Sequence, residues 1–175
     1  MPQNRRQTKE TCLLLDNIRS VHNVGSIFRT AETAGVSKIY CLGTTPVPTD
    51  RFGRKRKDLA KVALGAEDLV PWEHVEDGGV LISRLKKEGF KVIAVEQASN
   101  SVDYREVKPS EKSLFVLGNE VEGVSGEILK LADVIAEIPL KGEKGSLNVS
   151  VVAGIILFIS VSDVHYKNAR FYRRS

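Results

Sequence analysis

TCLLLDNIRSVHNVGSIFRTAETAG, residues 11–35, holds a strand, a turn and a helix in succession. Thr11–Asp16 is short and continuously apolar until its last residue, the pattern of a strand buried on both faces. Val24, Ile27, Phe28, Ala31 and Ala34 then recur at helical spacing and define one apolar stripe. Asn23 is placed to cap this helix and Gly35 to stop it. Lys38–Leu42 (KIYCL) is the next strand. A buried strand, a helix and a second buried strand in immediate succession are the opening unit of a parallel sheet.

The alternation continues outward from that unit. Glycines and prolines break Gly43–Lys57 into an exposed loop. A helix is expected over Asp58–Leu64, a strand around Leu69–Glu73, a helix over Gly79–Glu88, and strands at Lys91–Val95 and Ser113–Leu117. Ser125 should cap a helix running to about Ala132, followed by a strand at Val134–Ile138 and a long closing helix over Leu147–Asp163. The predicted fold is therefore α/β, a mostly parallel sheet with helices on both faces. A chain of 175 residues suits one such domain, expected over residues 11–165, with a basic segment at 1–10 and a basic tail at 166–175.

The formal net charge is only +4, so position matters more than total. Cations gather at Arg5, Arg6 and Lys9, at Arg51, Arg54, Lys55, Arg56 and Lys57, and at Lys167, Arg170, Arg173 and Arg174. Such patches attract polyphosphates or anionic membrane surfaces; solvated loops and a frayed tail account for them equally well. Cys12 and Cys41 each lie inside an apolar strand and read as reduced core thiols, which suits a cytoplasmic protein. Three scattered histidines and no C-x-x-C offer no metal-ligand set. The polar N-terminus has no secretory apolar region, and Val149–Val161 is too short to span a membrane.

In open parallel sheets the ligand lies beyond the carboxyl ends of the strands. Three loops in that position carry unusual polar chemistry: Asp16–Gly25 leading to Arg29, Gly118–Gly123, and Pro139–Asn148. No G-x-G-x-x-G, G-x-x-x-x-G-K-[ST] or G-x-S-x-G motif is present, which argues against dinucleotide binding, P-loop phosphoryl transfer and serine hydrolysis. The remaining chemistry is that of Arg, Asn, Glu, Ser and backbone amides, suited to positioning and charge stabilisation.

The three loops resemble, in order, the motifs of the SpoU/TrmH family of RNA ribose 2′-O-methyltransferases in the SPOUT superfamily. The residues concerned are Asn23-Val-Gly25-Ser-Ile-Phe-Arg29-Thr30-Ala31 with Ala34-Gly35, then Leu117-Gly118-Asn119-Glu120-Val-Glu-Gly123, then Ile138-Pro139 with Ser146-Leu147-Asn148. The likeness runs over residues 13–160. It implies a deep C-terminal trefoil knot, a homodimer, S-adenosylmethionine as cofactor, and a ribose 2′-hydroxyl of tRNA or rRNA as acceptor.

The resemblance also implies roles. Arg29 corresponds to the family's catalytic arginine. A guanidinium keeps its proton at any physiological pH, so stabilising an alkoxide and gripping a phosphate suit it better than acting as a base. Asn23 would bond the ribose or Arg29 besides capping its helix. Glu120 would orient one of them, and Ser146 and Asn148 would serve at the start of the last helix. Glu122 is left out of this set. Cofactor contacts are expected mainly from the backbone around Val95, Glu96, Leu117, Gly118, Asn119, Ile138, Ser146 and Leu147. Gly118, Gly142 and Gly145 would permit close backbone approach, although turns explain the latter two as well. Arg51, Arg54, Lys55, Arg56 and Lys57 would grip RNA phosphates while Phe52 stacks on a base, and Trp72 belongs to the core. Two other readings stay open: a non-catalytic RNA-binding module of this fold, and an unrelated nucleotide-binding protein of flavodoxin type.

Overall fold

A computed structural model describes residues 9–161. Most of the basic segment 1–10, the tail 166–175 and the expected end of the last helix at Asp163 lie outside the described residues. Seven strands form one sheet: β1 (Glu10–Asp16), β2 (Lys38–Leu42), β3 (Trp72–Val75), β4 (Lys91–Val95), β5 (Val102–Asp103), β6 (Lys112–Gly118) and β7 (Val134–Glu137). Their order is β3-β2-β1-β6-β4-β7-β5, and every pairing is parallel. The helices are α1 (Val21–Ala34), α2 (Lys57–Ala63), α3 (Ala66–Leu69), α4 (Gly78–Lys87), α5 (Gly126–Leu131) and α6 (Val149–Val161).

Successive strand residues point to opposite faces, and both faces are covered. Leu13, Leu15, Ile39, Cys41, Ile93, Phe115 and Leu117 join one core cluster with Ile27 and Phe28 of α1, Leu59 of α2 and Ile156 of α6. Cys12, Leu14, Tyr40, Leu42, Val92, Leu114 and Val116 join the other with Leu81, Ile82 and Leu85 of α4 and Ile128 of α5. This two-sided burial is why the strands read as unbroken apolar runs. Leu13, Leu14 and Leu15 are each fully buried, contributing about 1.5–3 kcal/mol apiece over exposure. Burial pushes the Cys12 and Cys41 thiols up to about 12, so both are protonated, unreactive packing groups.

Local structure differs from expectation at several places, and the closing helix starts at Val149 rather than Leu147. Ser20, not Asn23, caps α1: its hydroxyl accepts from the Asn23 N–H at 3.2 Å, and the helix begins at Val21. That releases the Asn23 side chain for other work. Gly35 does end the helix, with φ of 75° and its N–H on the Ala31 and Glu32 carbonyls. The strand expected around Leu69–Glu73 starts only at Trp72, because Ala66–Leu69 closes a helical turn and Pro71 has no N–H for a ladder. Trp72 is half-buried against the first cluster. Ser125 precedes α5 without a side-chain cap bond; its own N–H is held by Asp16. The short β5 and the following 3-10 turn at Tyr104–Glu106 carry too little apolar pattern to be seen in sequence.

A fully parallel sheet puts every carboxyl end on one edge. Asp16 of β1 is in register with Gly118 of β6, so the loops after these strands start side by side.

Candidate active site

Beyond the ends of β6, β4 and β7 lies a cavity of about 270 Å³, near the lower end of the usual range for small-molecule sites. Val95, Leu117, Ile138, Leu140, Val149 and Val152 form apolar walls; Glu96, Gly118, Asn119, Glu120, Ser146 and Leu147 complete the lining. All eight residues named from sequence as cofactor contacts therefore surround one space. They come from three separate loops, as the parallel topology requires.

Loop 118–124 forms the site's rigid wall. The Asn119 side-chain oxygen accepts from the N–H groups of Val121 (2.9 Å) and Glu122 (2.8 Å), and the Gly123 N–H returns to the Asn119 carbonyl at 3.0 Å. Gly118 abuts the backbone of Gly123 and Val124 so closely that a Cβ there would overlap them. The loop is pinned from two neighbouring strands. Glu96, next after β4, accepts from the Val124 N–H at 2.8 Å and from the Gln97 N–H at 2.9 Å. Asp16, buried at the end of β1, accepts from the Ser125 N–H at 2.8 Å. Sequence reading placed Glu96 among backbone contacts and gave Asp16 no role. An acid closing an otherwise apolar strand was the available signal for the latter.

Glu96→Gln turns one acceptor into an N–H donor facing another donor. Loss of a charge-assisted bond of this kind should lower unfolding stability by about 1.5–3 kcal/mol. Urea titration would show it as a lower midpoint with unchanged slope. A variant as stable as the parent removes Glu96 from this role.

At the loop's tip, Glu120 accepts from the Asn23 side-chain amide in a short contact, and the Asn148 amide donates to the Asn23 oxygen at 3.1 Å. The direction of this relay is set at both ends. A carboxylate oxygen accepts, and the Asn148 oxygen is already committed to the Ser150 N–H (2.9 Å) and hydroxyl (2.6 Å) at the start of α6. Residues distant in sequence thus form one Glu120–Asn23–Asn148 chain on the cavity's rim. Asn148 caps α6 and joins the relay with different atoms. Ser146 lines the cavity just before the helix. Arg19 and Glu122 approach to 3.6 Å, an exposed pair of little energetic weight.

Arg29 is not in this group. It follows Asn23 by six residues, which places it about 9 Å further along α1 and about 120° around from it. It is exposed, does not line the cavity, and its guanidinium has no hydrogen bond or ion pair among the described residues. A Cβ on Gly142 or Gly145 meets no other part of the protein, and Gly145 lines the cavity.

The basic cluster is largely neutralised by its neighbours. Arg54 pairs with Asp50 (2.7 Å), Lys55 with Glu67 (2.7 Å) and Asp68, and Arg56 with Asp58 (2.6 Å). Arg51 and Lys57 have no ion pair among the described residues. Among those residues no group of His, Cys, Asp and Glu could hold a metal, and no helix is long and apolar enough to cross a membrane.

Comparison with known proteins gives consistent matches. The pattern of the SpoU rRNA methylase family matches residues 10–158. A tRNA (guanosine(18)-2′-O)-methyltransferase of Aquifex aeolicus is 33% identical over 153 residues, which are 87% of this chain and 69% of that protein. Relatives from Staphylococcus aureus that carry the TrmH family name are also 33% identical, but this chain spans only 60% of their length. The crystal structure of the A. aeolicus TrmH/SpoU tRNA modifying enzyme superposes with a TM-score of 0.78 at 31% identity, over 88% of this chain and 75% of that one. An AdoMet-bound rRNA methyltransferase from Sinorhizobium meliloti superposes with a TM-score of 0.79 at 31% identity, over 89% of this chain and 57% of that one.

Proposed function

The chain belongs to the SpoU rRNA methylase family, and from that premise we propose that it transfers a methyl group from S-adenosylmethionine to a ribose 2′-hydroxyl of tRNA or rRNA. The observation that carries this reading is the Glu120–Asn23–Asn148 relay, standing on the rim of a cavity built by the same loops. The Aquifex relative is named for 2′-O-methylation of tRNA and the Sinorhizobium structure is described as AdoMet-bound, which supports the acceptor and the cofactor in turn.

The cavity suits S-adenosylmethionine. Apolar walls from Val95, Leu117, Ile138 and Leu147 would flank an adenine, and Gly118, having no side chain, lets loop 118–124 pack against the end of β6 as a fixed wall of the cavity. The cofactor supplies an electrophilic methyl group on a sulfonium. The chain's own residues align the attacking oxygen, exclude water and hold charge. Glu120 and Asn148 fix both ends of the Asn23 amide, so that its orientation costs no further ordering when RNA arrives. Arg29 stabilises the developing alkoxide and grips an adjacent phosphate, and the 2′-hydroxyl proton leaves to phosphate or water.

Arg29 reaches a reaction centre across a homodimer in this proposal. Its exposure and its distance along α1 from Asn23 place it off its own chain's relay. The outer surface of α6 is apolar, with Val151 48% and Phe158 36% exposed, and α6 packs along α1. A second copy on this surface would cover those side chains and bring Arg29 to the partner's cavity. Phe158→Asp should therefore shift the protein from dimer to monomer in sedimentation equilibrium, and an unchanged mass would remove α6 from the interface. The trefoil knot belongs to the same proposal, supported by α6 returning from β7 to pack on α1, three strands away in the sheet.

The direct test incubates the purified protein and labelled S-adenosylmethionine with RNA from cells lacking the gene, then maps 2′-O-methyl positions. Label at defined riboses is the expected result. Cofactor and RNA binding without transfer would support the non-catalytic module instead, and no affinity for S-adenosylhomocysteine would overturn the cofactor assignment.

A further inference from the structure

Phe52 is a large aromatic side chain, 66% exposed, on a loop that is tightly ordered by its own bonds. Asp50 organises it: one carboxylate oxygen accepts from the N–H groups of Phe52 (2.8 Å) and Arg54 (3.0 Å), and the other accepts from the Arg54 guanidinium at 2.8 Å. The Asp50 N–H bonds the Arg54 carbonyl at 2.8 Å, and the Gly53 N–H bonds the Asp50 carbonyl at 2.9 Å, with Gly53 at φ of 74°. Thr49 and Lys55 pair as an antiparallel bridge, closing the turn. The base of the loop is stitched to β1 as well, where buried Thr45 donates to the Leu15 carbonyl at 2.9 Å and accepts from the Ile18 N–H at 3.1 Å. A fixed loop thus holds a largely exposed apolar ring out towards solvent.

Two cations flank that ring. The Arg51 and Arg54 guanidinium carbons lie 4.7 and 5.0 Å from its centroid. Three planar groups are therefore gathered on one turn, and such groups accept unstacked nucleobases on their faces. Phosphate gripping is the weaker account, because Arg54, Lys55 and Arg56 already have carboxylate partners. Position agrees. The loop leaves the carboxyl end of β2, on the same sheet edge as the cavity, and β2 lies two strands from β6, about 10 Å at the usual strand spacing.

We propose that Arg51, Phe52 and Arg54 form a preformed stacking clasp for an unpaired base of the RNA beside the nucleotide that is modified. This rests on the RNA methyltransferase reading and adds to it what is recognised: a splayed base in a single-stranded loop, held by stacking more than by charge.

The test is fluorescence anisotropy with a labelled 12-nucleotide single-stranded RNA and its blunt duplex, over a range of salt concentrations. The parent should prefer the single strand. Phe52→Ala should weaken single-strand binding about tenfold with an unchanged salt slope, and Phe52→Trp should keep parental affinity. Melting temperatures of both variants should match the parent, since the ring is exposed. Equal single-strand affinity for Phe52→Ala overturns the clasp and leaves a protein contact as the use of this ring; a loss that comes with a shallower salt slope also overturns it. Binding of S-adenosylhomocysteine to the parent is measured alongside. Its absence removes the methyltransferase reading while leaving the clasp to be judged on the RNA isotherms alone.

Discussion

Arg29→Ala should lower the turnover number about 10²–10³-fold, the usual cost of removing one preorganised donor from a developing oxyanion. Affinity for S-adenosylhomocysteine should stay within about twofold, because Arg29 does not line its own chain's cavity and its proposed contacts are to the alkoxide and a phosphate, not to the cofactor. Stability should hardly change, since the side chain is exposed and makes no hydrogen bond or ion pair among the described residues. Arg29→Lys should recover little, because a point charge cannot replace a planar fork that holds an alkoxide and a phosphate together. Turnover by Arg29→Ala equal to that of the parent would end the assignment.

The same variant tests the cross-subunit arrangement. Arg29→Ala and Glu120→Ala are each expected to be poorly active alone. If a site takes Arg29 from one copy and Glu120 from the other, mixed dimers contain one intact site and one doubly damaged site. Random exchange of equal amounts then restores about a quarter of parental activity. No restoration would place Arg29 at its own chain's cavity.

Much of the fold was legible because burial on both sheet faces writes itself as short apolar runs. KIYCL and KVIAV match β2 and β4 to the residue, and SLFVL falls one residue short of β6 at each end. The cap of α1 was misplaced because Ser20 and Asn23 are both good capping residues, and only backbone conformation separates them. Sheet order could not be read at all, since periodicity says which face a residue takes but not which strand lies beside it. The same limit applies at the site. Sequence brought the three loops to one edge by topology, yet Glu120, Asn23 and Asn148 are joined by side-chain bonds over separations of 97 and 125 residues. Arg29 belonged to the same motif as Asn23, and helical rotation alone was enough to set them apart. The charge cluster shows a related limit of local reading. Lys55 is paired with Glu67 and Asp68 of α3, partners that a local reading does not see, while Arg54 and Arg56 pair with Asp50 and Asp58 close by in sequence.

Gly118→Ala should damage the site more widely than removal of any single side chain near it. Gly118 has no left-handed φ, so conformational strain is not the reason. A Cβ would meet the carbonyl of Gly123 and the nitrogen of Val124, which are backbone atoms that cannot swing aside as a side chain does. Displacing them pulls the Val124 N–H from Glu96 and strains the adjacent Ser125 bond to Asp16. Glu120, carried on the same loop, would then lose its alignment with Asn23. Overpacking of this kind costs about 1–3 kcal/mol of stability. Because the displaced loop is also the cavity wall, affinity for S-adenosylhomocysteine should fall at least tenfold, equivalent to about 1.4 kcal/mol of binding free energy. Gly142→Ala is the matched control: its Cβ enters open space, so affinity and melting temperature should both hold. Calorimetric titration of the two variants separates a specific steric role from a general intolerance of alanine in glycine-rich loops. Equal affinity of Gly118→Ala and the parent would mean that loop 118–124 can move without disturbing the cavity, and the rigid-wall account of this site would fail.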